Sequence, residues 1–242
     1  MGEKISKLRD YIKSSDNIVF FGGAGVSTES GIPDFRSTDG LFNTQYEHPP
    51  EIILSHSFFM SQTSEFYRFY RDKMIFLDAK PNPAHVALAK LEQQGKLKAV
   101  ITQNIDGLHS AAGNNNVIEL HGSIHRNFCM DCNAFYNLGV ILQAEDIPFC
   151  PCGGIIKPDV VLYEEGLNDS VLTDAIEHIS GADMLIIGGT SMLVYPAAGL
   201  IHFYSGEKLV VINKTETGID LLAGLVIHGS IGEVLGAVIQ EA

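Results

Sequence analysis

The sequence predicts an α/β protein built on a doubly wound, mostly parallel sheet, with a helical insert and a small cysteine-bearing insert. Six short apolar runs alternate with helix-like segments, a pattern typical of parallel strands buried on both faces. The chain has 242 residues, 45% hydrophobic and 19% charged, which is enough for one large core. We therefore expect one Rossmann-like domain with two insertions.

The predicted strands follow one another at spacings that leave room for a helix between most of them. Each run is rich in Val, Ile, Leu or Phe, and the first ends in consecutive glycines that indicate a tight turn. The runs span residues 17–21, 98–102, 117–120, 183–188, 208–213 and 225–228. Ligands of such sheets bind outside the carboxyl ends of the strands, so the segments after each run carry the functional predictions.

Two regions depart from this alternation of strands and helices. Residues 34–80 are rich in aromatic residues and contain a predicted helix around 61–76, while residues 124–157 hold all four cysteines. We expect a single domain over 1–242, divided into three parts. They are a Rossmann-like part (about 1–34, 80–123 and 158–242), a helical and cofactor-loop insert (about 35–79) and a zinc module (about 124–157).

Composition excludes several classes of partner. Lys and Arg total 16 against 29 Asp and Glu, a formal charge of −13, so no global attraction to nucleic acid or anionic lipid is expected. A basic substrate such as a lysine-rich peptide remains compatible with this charge. No apolar run approaches the ~18 residues of a membrane span, and the charged first residues do not resemble a signal peptide. These features predict a cytoplasmic protein with no membrane partner.

The four cysteines, Cys129, Cys132, Cys150 and Cys152, form two close pairs. This arrangement is typical of a zinc site rather than of a secreted disulfide scaffold. The second pair is Cys-Pro-Cys, one residue tighter than the usual spacing, which leaves His125 or Asp131 as substitute ligands. Free buried thiols or redox-active cysteines are the alternative interpretation.

The segment after the first run, Gly23-Ala24-Gly25-Val-Ser-Thr28, is typical of phosphate binding. Glycines allow close approach of a phosphate, and a following helix would direct its N–H groups at a pyrophosphate. Thr28 stands where the dinucleotide fingerprint needs a third Gly, and the usual acidic residue about 20 residues on has no clear counterpart. A turn that only reverses the chain is the alternative.

Polar side chains also follow the second and third runs. Gln103, Asn104 and Asp106 come after the second, and His121 after the third. Amide and carboxylate groups can position a water or bind a carboxamide, and a neutral His can accept a proton. Each alone could be a turn residue or a surface polar group, but all fall at predicted strand ends.

Taken in order, these motifs closely resemble the sirtuin family from about residue 17 to the end of the chain. The resemblance rests on six segments. They are Gly23–Arg36, Thr102–His109, His121-Gly122, the paired cysteines, Gly188–Ser191 with the following Tyr195-Pro-Ala-Ala, and Val211–Asn213.

The resemblance implies an NAD-dependent protein-lysine deacetylase that transfers the acetyl group to ADP-ribose and releases nicotinamide. His121 then matches the general base, assisted by Asn104, and Asp106 would bind the carboxamide of nicotinamide. The implied zinc is structural, one per chain, on the four cysteines. The implied NAD-binding residues are Gly23, Ala24, Gly25, Thr28, Phe35, Arg36, Gln103, Asn104, Ile105, Asp106, His121, Thr190, Ser191, Asn213 and Ile231.

For the acetyl-lysine peptide, the resemblance implies contacts from Val160 and Val161. This chain has Tyr163-Glu164 where many members have Phe-Gly. Members that prefer succinyl-lysine carry an Arg three residues after a Tyr. Here Tyr70 follows Tyr67 at that spacing, which predicts a preference for neutral acyl groups.

Other functions remain open at this stage. A dehydrogenase would need hydride chemistry and usually the complete glycine fingerprint, and a pure NAD or ADP-ribose sensor would need neither His121 nor Asn104. Mono-ADP-ribosyl transfer, or removal of another acyl class, would use the same cofactor cleavage.

Overall fold

The computed structural model describes residues 1–35, 40 and 48–239. Among these residues it contains nine strands in two sheets. In chain order they are β1 (Ile18–Gly22), β2 (Leu97–Thr102), β3 (Val117–Glu119), β4 (Gly122–Cys129), β5 (Phe135–Tyr136), β6 (Ile156–Val160), β7 (Met184–Gly188), β8 (Lys208–Asn213) and β9 (Leu225–His228). The six predicted strands are all present, within about two residues of their predicted ends, as β1–β3 and β7–β9.

Those six strands form one parallel sheet in the order β3-β2-β1-β7-β8-β9. The strand order reverses between β1 and β7, and the crevice at such a switch point is where open α/β sheets bind ligands. β1 and β7 are buried along their whole length, because helices cover both faces of the sheet. The predicted fold class is confirmed.

Nine α-helices are described. They are α1 (Gly2–Lys13), α2 (Pro50–Ile53), α3 (His56–Ser61), α4 (Thr63–Lys73), α5 (Pro83–Gln93), α6 (Leu108–Ala111), α7 (Leu138–Gln143), α8 (Asp169–Gly181) and α9 (Ile231–Ile239). α1, α5 and α9 pack on one face of the large sheet, and α8 with a 3-10 segment, Ala197–Phe203, on the other. None of the described helices is long and apolar enough to cross a membrane.

Local sequence explains where the helices begin. Asn82 precedes α5, and its side chain accepts a hydrogen bond from the Ala84 amide, while Pro83 at the first helical position needs no partner for its nitrogen. Asn168 caps α8 in the same way. One face of α4 packs against a third core through four buried aromatic side chains, Phe66, Tyr67, Phe69 and Tyr70.

That third core joins the helical region to a small antiparallel sheet of order β5-β4-β6. β6 is an edge strand, which is where Pro158 is tolerated because it has no N–H to donate. Val161 N–H, just after β6, donates to the carbonyl of His121 at 3.0 Å. The small sheet therefore approaches the carboxyl end of β3, next to the switch point.

Candidate functional site

The glycine-rich loop after β1 lies directly against the loop after β7. The Gly25 amide donates to the Gly189 carbonyl at 2.8 Å, and a Cβ on Gly25 would lie 2.8 Å from Gly189 Cα. Gly189 itself has φ +59°, and a Cβ there would lie 2.4 Å from the Val26 nitrogen. Only glycines allow two backbones to meet this closely, so the crevice is lined by main chain that a phosphate could approach.

The expected helix does not follow this loop. Two single-turn 3-10 helices, Ala24–Val26 and Thr28–Ser30, stand in its place and end at Gly31, whose φ is +85°. The hydroxyl of Thr28 donates to the Gly25 carbonyl at 3.1 Å and so closes the turn on itself. The N–H groups available to a pyrophosphate are thus those of short turns, without the dipole of a long helix.

A hydrogen-bonded network joins this loop to the end of β2. The Ser27 hydroxyl donates to the Asp106 carboxylate at 2.6 Å and accepts from the Asn104 amide at 3.1 Å. The other Asp106 oxygen accepts from the Leu108 N–H at 2.9 Å. Asn104 is nearly buried, at 9% exposure. Because both side chains are fixed by neighbours, they present defined polar groups to the crevice.

A hydrogen bond between Gln103 and Thr190 crosses the crevice. The Gln103 amide donates to the Thr190 hydroxyl at 3.1 Å, and that hydroxyl also accepts from the Met192 N–H at 3.3 Å. Gln103 follows β2 and Thr190 follows β7, so this bond bridges the carboxyl ends of two strands on opposite sides of β1.

His121 lies where β3 ends and the small sheet begins. Its Nδ1 is 2.9 Å from the Gln103 carbonyl oxygen. A carbonyl can only accept, so Nδ1 carries the proton and Nε2 is the free basic nitrogen. Burial lowers the pKa of His121 below its usual 6.5, opposed in part by the bond to Gln103. The ring is therefore neutral at pH 7 and able to accept a proton.

The peptide-contact candidates adjoin His121 through the backbone. Val160 is 7% exposed and pairs with Gly122, while the Val161 amide donates to the His121 carbonyl. Ile105 accepts from the Ile124 amide at 3.0 Å, and both Ile105 and Phe35 pack against the third core, which contains Val160. Arg36, the last candidate of the loop after β1, lies outside the described residues.

The candidates for the adenosine side lie beyond β7 and β8. Ser191 follows Thr190 and is half-buried, and the Asn213 amide donates to the Thr215 carbonyl at 2.9 Å. Ile231 is 3% exposed, and its side chain lies so close to Gly188 that a Cβ there would be 2.2 Å from Ile231 Cδ1. The Ile231 side chain thus belongs to the core, and its main chain is the part left for a ligand.

The four cysteine sulfurs converge between β4, β5 and β6. They all lie within 4.8 Å of one another, with Sγ–Sγ distances of 3.4 Å for Cys129–Cys152, 3.6 Å for Cys132–Cys150 and 3.5 Å for Cys152–Cys132. Disulfide sulfurs are about 2 Å apart, whereas the edge of a ZnS₄ tetrahedron with 2.3 Å bonds is roughly 3.8 Å. The cysteine set fits a closed tetrahedral zinc site, including the tight second pair.

The two substitute ligands are not needed. His125 uses its Nε2 to donate to the Asp106 carbonyl at 3.2 Å, and Asp131 is not part of the cluster. The Asp131 amide instead donates to the Cys129 sulfur at 3.4 Å, and the Tyr136 hydroxyl donates to Cys150 at 3.0 Å. Such bonds stabilise thiolates and orient them toward a metal.

The sequence motifs gave no role to two further groups of polar side chains. Ser27 stands in the glycine-rich segment but gave no sign that it bridges Asn104 and Asp106. His85 and His109 form a buried pair with ring centroids 4.6 Å apart, and burial lowers their pKa values to about 4 and about 3. His85 sits three residues after the cap Asn82 and accepts its N–H, a capping-box signal that sequence spacing could have suggested.

Comparison with known proteins shows the family of this chain. The model of the Sir2 family matches residues 23–196, which contain the glycine-rich loop, the network after β2, His121 and all four cysteines. The chain belongs to the Sir2 family. Curated relatives named NAD-dependent protein deacetylase from Clostridium acetobutylicum and Clostridium perfringens are 60% and 61% identical. The first covers 98% of both chains, and the second covers 99% of this chain and 100% of the relative.

Solved Sir2 structures share the whole architecture. A Sir2 enzyme with a p53 peptide and NAD⁺ aligns with a TM-score of 0.88 at 41% identity, and one bound to an acetylated peptide gives the same values. Each alignment covers 98% of both chains. A complex with deacetylated p53 peptide and 3′-O-acetyl-ADP-ribose aligns with a TM-score of 0.91 at 40% identity, over 98% of both chains.

Proposed function

We propose that this Sir2 protein is an NAD-dependent protein-lysine deacetylase that transfers the acetyl group from lysine to ADP-ribose and releases nicotinamide. The observation that carries the proposal is a neutral imidazole, His121, held by the Gln103 carbonyl beside the strand that contains Val160. NAD supplies a ribose–nicotinamide bond whose cleavage leaves an electrophilic C1′ for the acetyl oxygen.

The residues of this chain would orient and deprotonate the reactants. Asp106, fixed by Ser27 and the Leu108 amide, would accept a hydrogen bond from the carboxamide of nicotinamide. Asn104 would position the ribose of NAD that carries the nicotinamide. The free Nε2 of His121 would accept a proton from the ribose hydroxyls, and a pKa lowered by burial keeps it unprotonated for that step.

We assign the remaining candidates by position. The loop after β1, with Gly23, Ala24, Gly25 and Thr28, would bind the pyrophosphate together with Thr190, because the two loops meet at the switch point. The adenosine side would be bound by Ser191, Asn213 and the main chain at Ile231. Phe35, Arg36, Gln103 and Ile105 complete the proposed NAD set. Val160 and Val161 would pair with an extended acetyl-lysine peptide, a common mode of peptide recognition.

The proposed metal is one structural Zn²⁺ held by Cys129, Cys132, Cys150 and Cys152, with no open position and no part in the chemistry. We also propose that the chain acts in the cytoplasm and that its functional parts follow the three-part division predicted from the sequence. The acidic charge of −13 suits a lysine-rich protein substrate.

The test is mass spectrometry of an acetyl-lysine peptide incubated with and without NAD. We expect NAD-dependent loss of the acetyl group, with equal amounts of nicotinamide and O-acetyl-ADP-ribose. His121→Ala should nearly abolish turnover yet retain NAD binding by calorimetry, while His202→Ala, at an exposed position, should behave as wild type. Transfer of ADP-ribose to the peptide, or wild-type turnover by His121→Ala, would contradict the proposal.

A further inference from the structure

Arg126 joins the two sheets of the molecule. It lies on β4, and its Nε donates to the Asp159 carboxylate at 2.7 Å, while Nη1 donates to the Glu119 carboxylate at 2.6 Å. Asp159 is on β6 of the small sheet, and Glu119 is on β3, the edge strand of the large sheet. One guanidinium therefore crosses the junction and binds a carboxylate on each side of it.

The two carboxylates flank the proposed catalytic contact. Glu119 is two residues before His121, and Asp159 is directly before Val160. The two segments are also joined by their backbones: Gly122 pairs with Val160, Ser123 pairs with Asp159, and the Val161 amide donates to the His121 carbonyl at 3.0 Å. Arg126 therefore ties the strand leading into His121 to the strand proposed to bind peptide.

The pairing of β4 with β6 is interrupted where Arg126 lies. Ser123 pairs with Asp159, but the next pair is Asn127 with Pro158, so residues 124–126 bulge out of the ladder. Pro158 has no N–H to offer. Within this bulge the guanidinium supplies cross-strand hydrogen bonds that the backbone does not, and charge-assisted bonds of this kind are short and directional.

The same bulge reaches the proposed nicotinamide pocket. The Ile124 amide donates to the Ile105 carbonyl at 3.0 Å, and the His125 ring donates to the Asp106 carbonyl at 3.2 Å. Arg126 is the next residue, so its ion pairs fix the bulge that contacts the Asn104–Asp106 segment on one side and the peptide strand on the other.

The Glu119 side of this linkage is the more buried one. The Glu119 side chain is 13% exposed against 40% for Asp159. Burial raises the pKa of Glu119, and the hydrogen bond from Arg126 opposes that rise. Without Arg126, a largely buried carboxylate would lose its cation, which costs stability independently of any effect on the site.

We propose that Arg126 is a positioning residue for the peptide substrate, setting the distance between His121 and the Val160–Val161 strand. The inference rests on the proposed deacetylase function. A role confined to folding would change the fraction of folded protein and leave the peptide KM of that fraction unaltered. A positioning role changes the peptide KM, since small displacements of a binding strand are costly even far from the reacting atoms.

The test compares wild type with Arg126→Met, Arg126→Lys and the double variant Arg126→Met/Glu119→Gln. Arg126→Met should raise the peptide KM about tenfold or more and change the NAD dissociation constant by much less, because Arg126 holds the peptide strand directly and reaches the Asn104–Asp106 segment only through the bulge. Arg126→Lys, which keeps the charge but loses the forked geometry, should be intermediate. The double variant removes the more buried of the two carboxylates that lose Arg126, so most of its Tm should recover while its peptide KM stays high.

Arg68→Met is the matched control, because Arg68 also donates to a carboxylate at 2.6 Å, that of Glu65 on α4, away from the sheet junction. Its peptide KM should equal that of wild type. Acetyl-peptide affinity measured by fluorescence anisotropy gives a readout independent of turnover. An unchanged peptide KM and affinity in Arg126→Met, or recovery of KM with Tm in the double variant, would overturn the inference.

These outcomes separate the two proposals. A wild-type protein that binds the acetylated peptide without deacetylating it contradicts the proposed function, while the anisotropy series still decides the role of Arg126. A wild-type protein that neither binds nor deacetylates the peptide contradicts both.

Discussion

The Nδ1 nitrogen of His121 lies 2.9 Å from the carbonyl oxygen of Gln103, a residue that also reaches Thr190 across the sheet. Gln103, which follows β2, thus fixes the tautomer of the proposed base through its main-chain carbonyl. Its side chain holds the loop after β7. The residues proposed as base, nicotinamide pocket and phosphate loop are consequently parts of one connected structure.

The first prediction concerns pH. Only neutral His121 can accept a proton, and burial lowers its pKa below 6.5. The acid limb of kcat/KM should therefore have its midpoint below pH 6.5, with activity retained at pH 7–8 and lost as pH falls through the lowered pKa. Initial rates from pH 5 to 9, with Tm recorded at each pH to confirm folding, would measure it. A midpoint above 6.5 would contradict this environment for His121.

The second prediction concerns acid stability. His85 and His109 have pKa values of about 4 and about 3 in the folded protein, both lowered mainly by burial. In the unfolded chain each titrates near 6.5, so below that pH the unfolded state binds more protons than the folded state. Above pH 6.5 both histidines are neutral in the folded and the unfolded state, so stability is not reduced there. Below pH 6.5 the free energy of unfolding should fall by about 1.4 kcal/mol per histidine for each pH unit, until the pH reaches the pKa of that histidine in the folded protein.

Urea unfolding at pH 7.0, 6.0 and 5.0 would measure this slope above the range where most carboxylates titrate. His109→Gln should lower the free energy of unfolding at pH 7 but reduce the loss of stability between pH 6.0 and 5.0 by about 1.4 kcal/mol, the contribution of one histidine, while His85 and His121 contribute in both proteins. Equal slopes in wild type and variant would show that the pair is not the cause.

The sequence predicted the large sheet well because each strand is an uninterrupted apolar run, a signal that depends only on neighbouring residues. The prediction of a helix after β1 was wrong, because contacts with distant parts of the chain determine the structure of this segment. Ser27 turns toward Asp106, 79 residues away, and the Gly25 amide bonds to Gly189, so the segment folds as two short turns. The Arg126 linkage and the His85–His109 pair depend equally on distant partners, and no local spacing encodes them.

The third prediction concerns zinc. Elemental analysis should find one zinc per chain, because the four sulfurs already stand at distances suited to a tetrahedron. Its removal should lower Tm, since metal binding supplies folding free energy to such modules. The tight Cys150-Pro151-Cys152 pair should release zinc to a chromogenic chelator faster than a matched variant with one Gly inserted after Pro151. Slower release from the wild type, or an active protein without zinc, would refute it.

The last prediction concerns the acyl group. Tyr67 is fully buried, and its hydroxyl donates to the Ile156 carbonyl at 2.5 Å. Arg71 stacks over the Tyr67 ring and donates to the Asp146 carbonyl at 2.9 Å, which holds its guanidinium toward the segment after α7. Arg68 is 73% exposed and paired with Glu65. Neither arginine of α4 therefore joins the core that contains Val160, where a carboxylate on the acyl group would need a cation.

We accordingly expect kcat/KM for an acetyl peptide to exceed that for the matched succinyl peptide by at least about 100-fold, the cost of placing an unpaired carboxylate in an apolar site. Tyr70→Arg, which puts an arginine three residues after Tyr67, should shift the ratio toward succinyl. Tyr70→Phe, the control that keeps the ring, should not. A wild-type preference for succinyl would mean that Arg68 or Arg71 leaves its observed partners to reach the pocket, and the loss of that preference in Arg71→Met or Arg68→Met would identify which one.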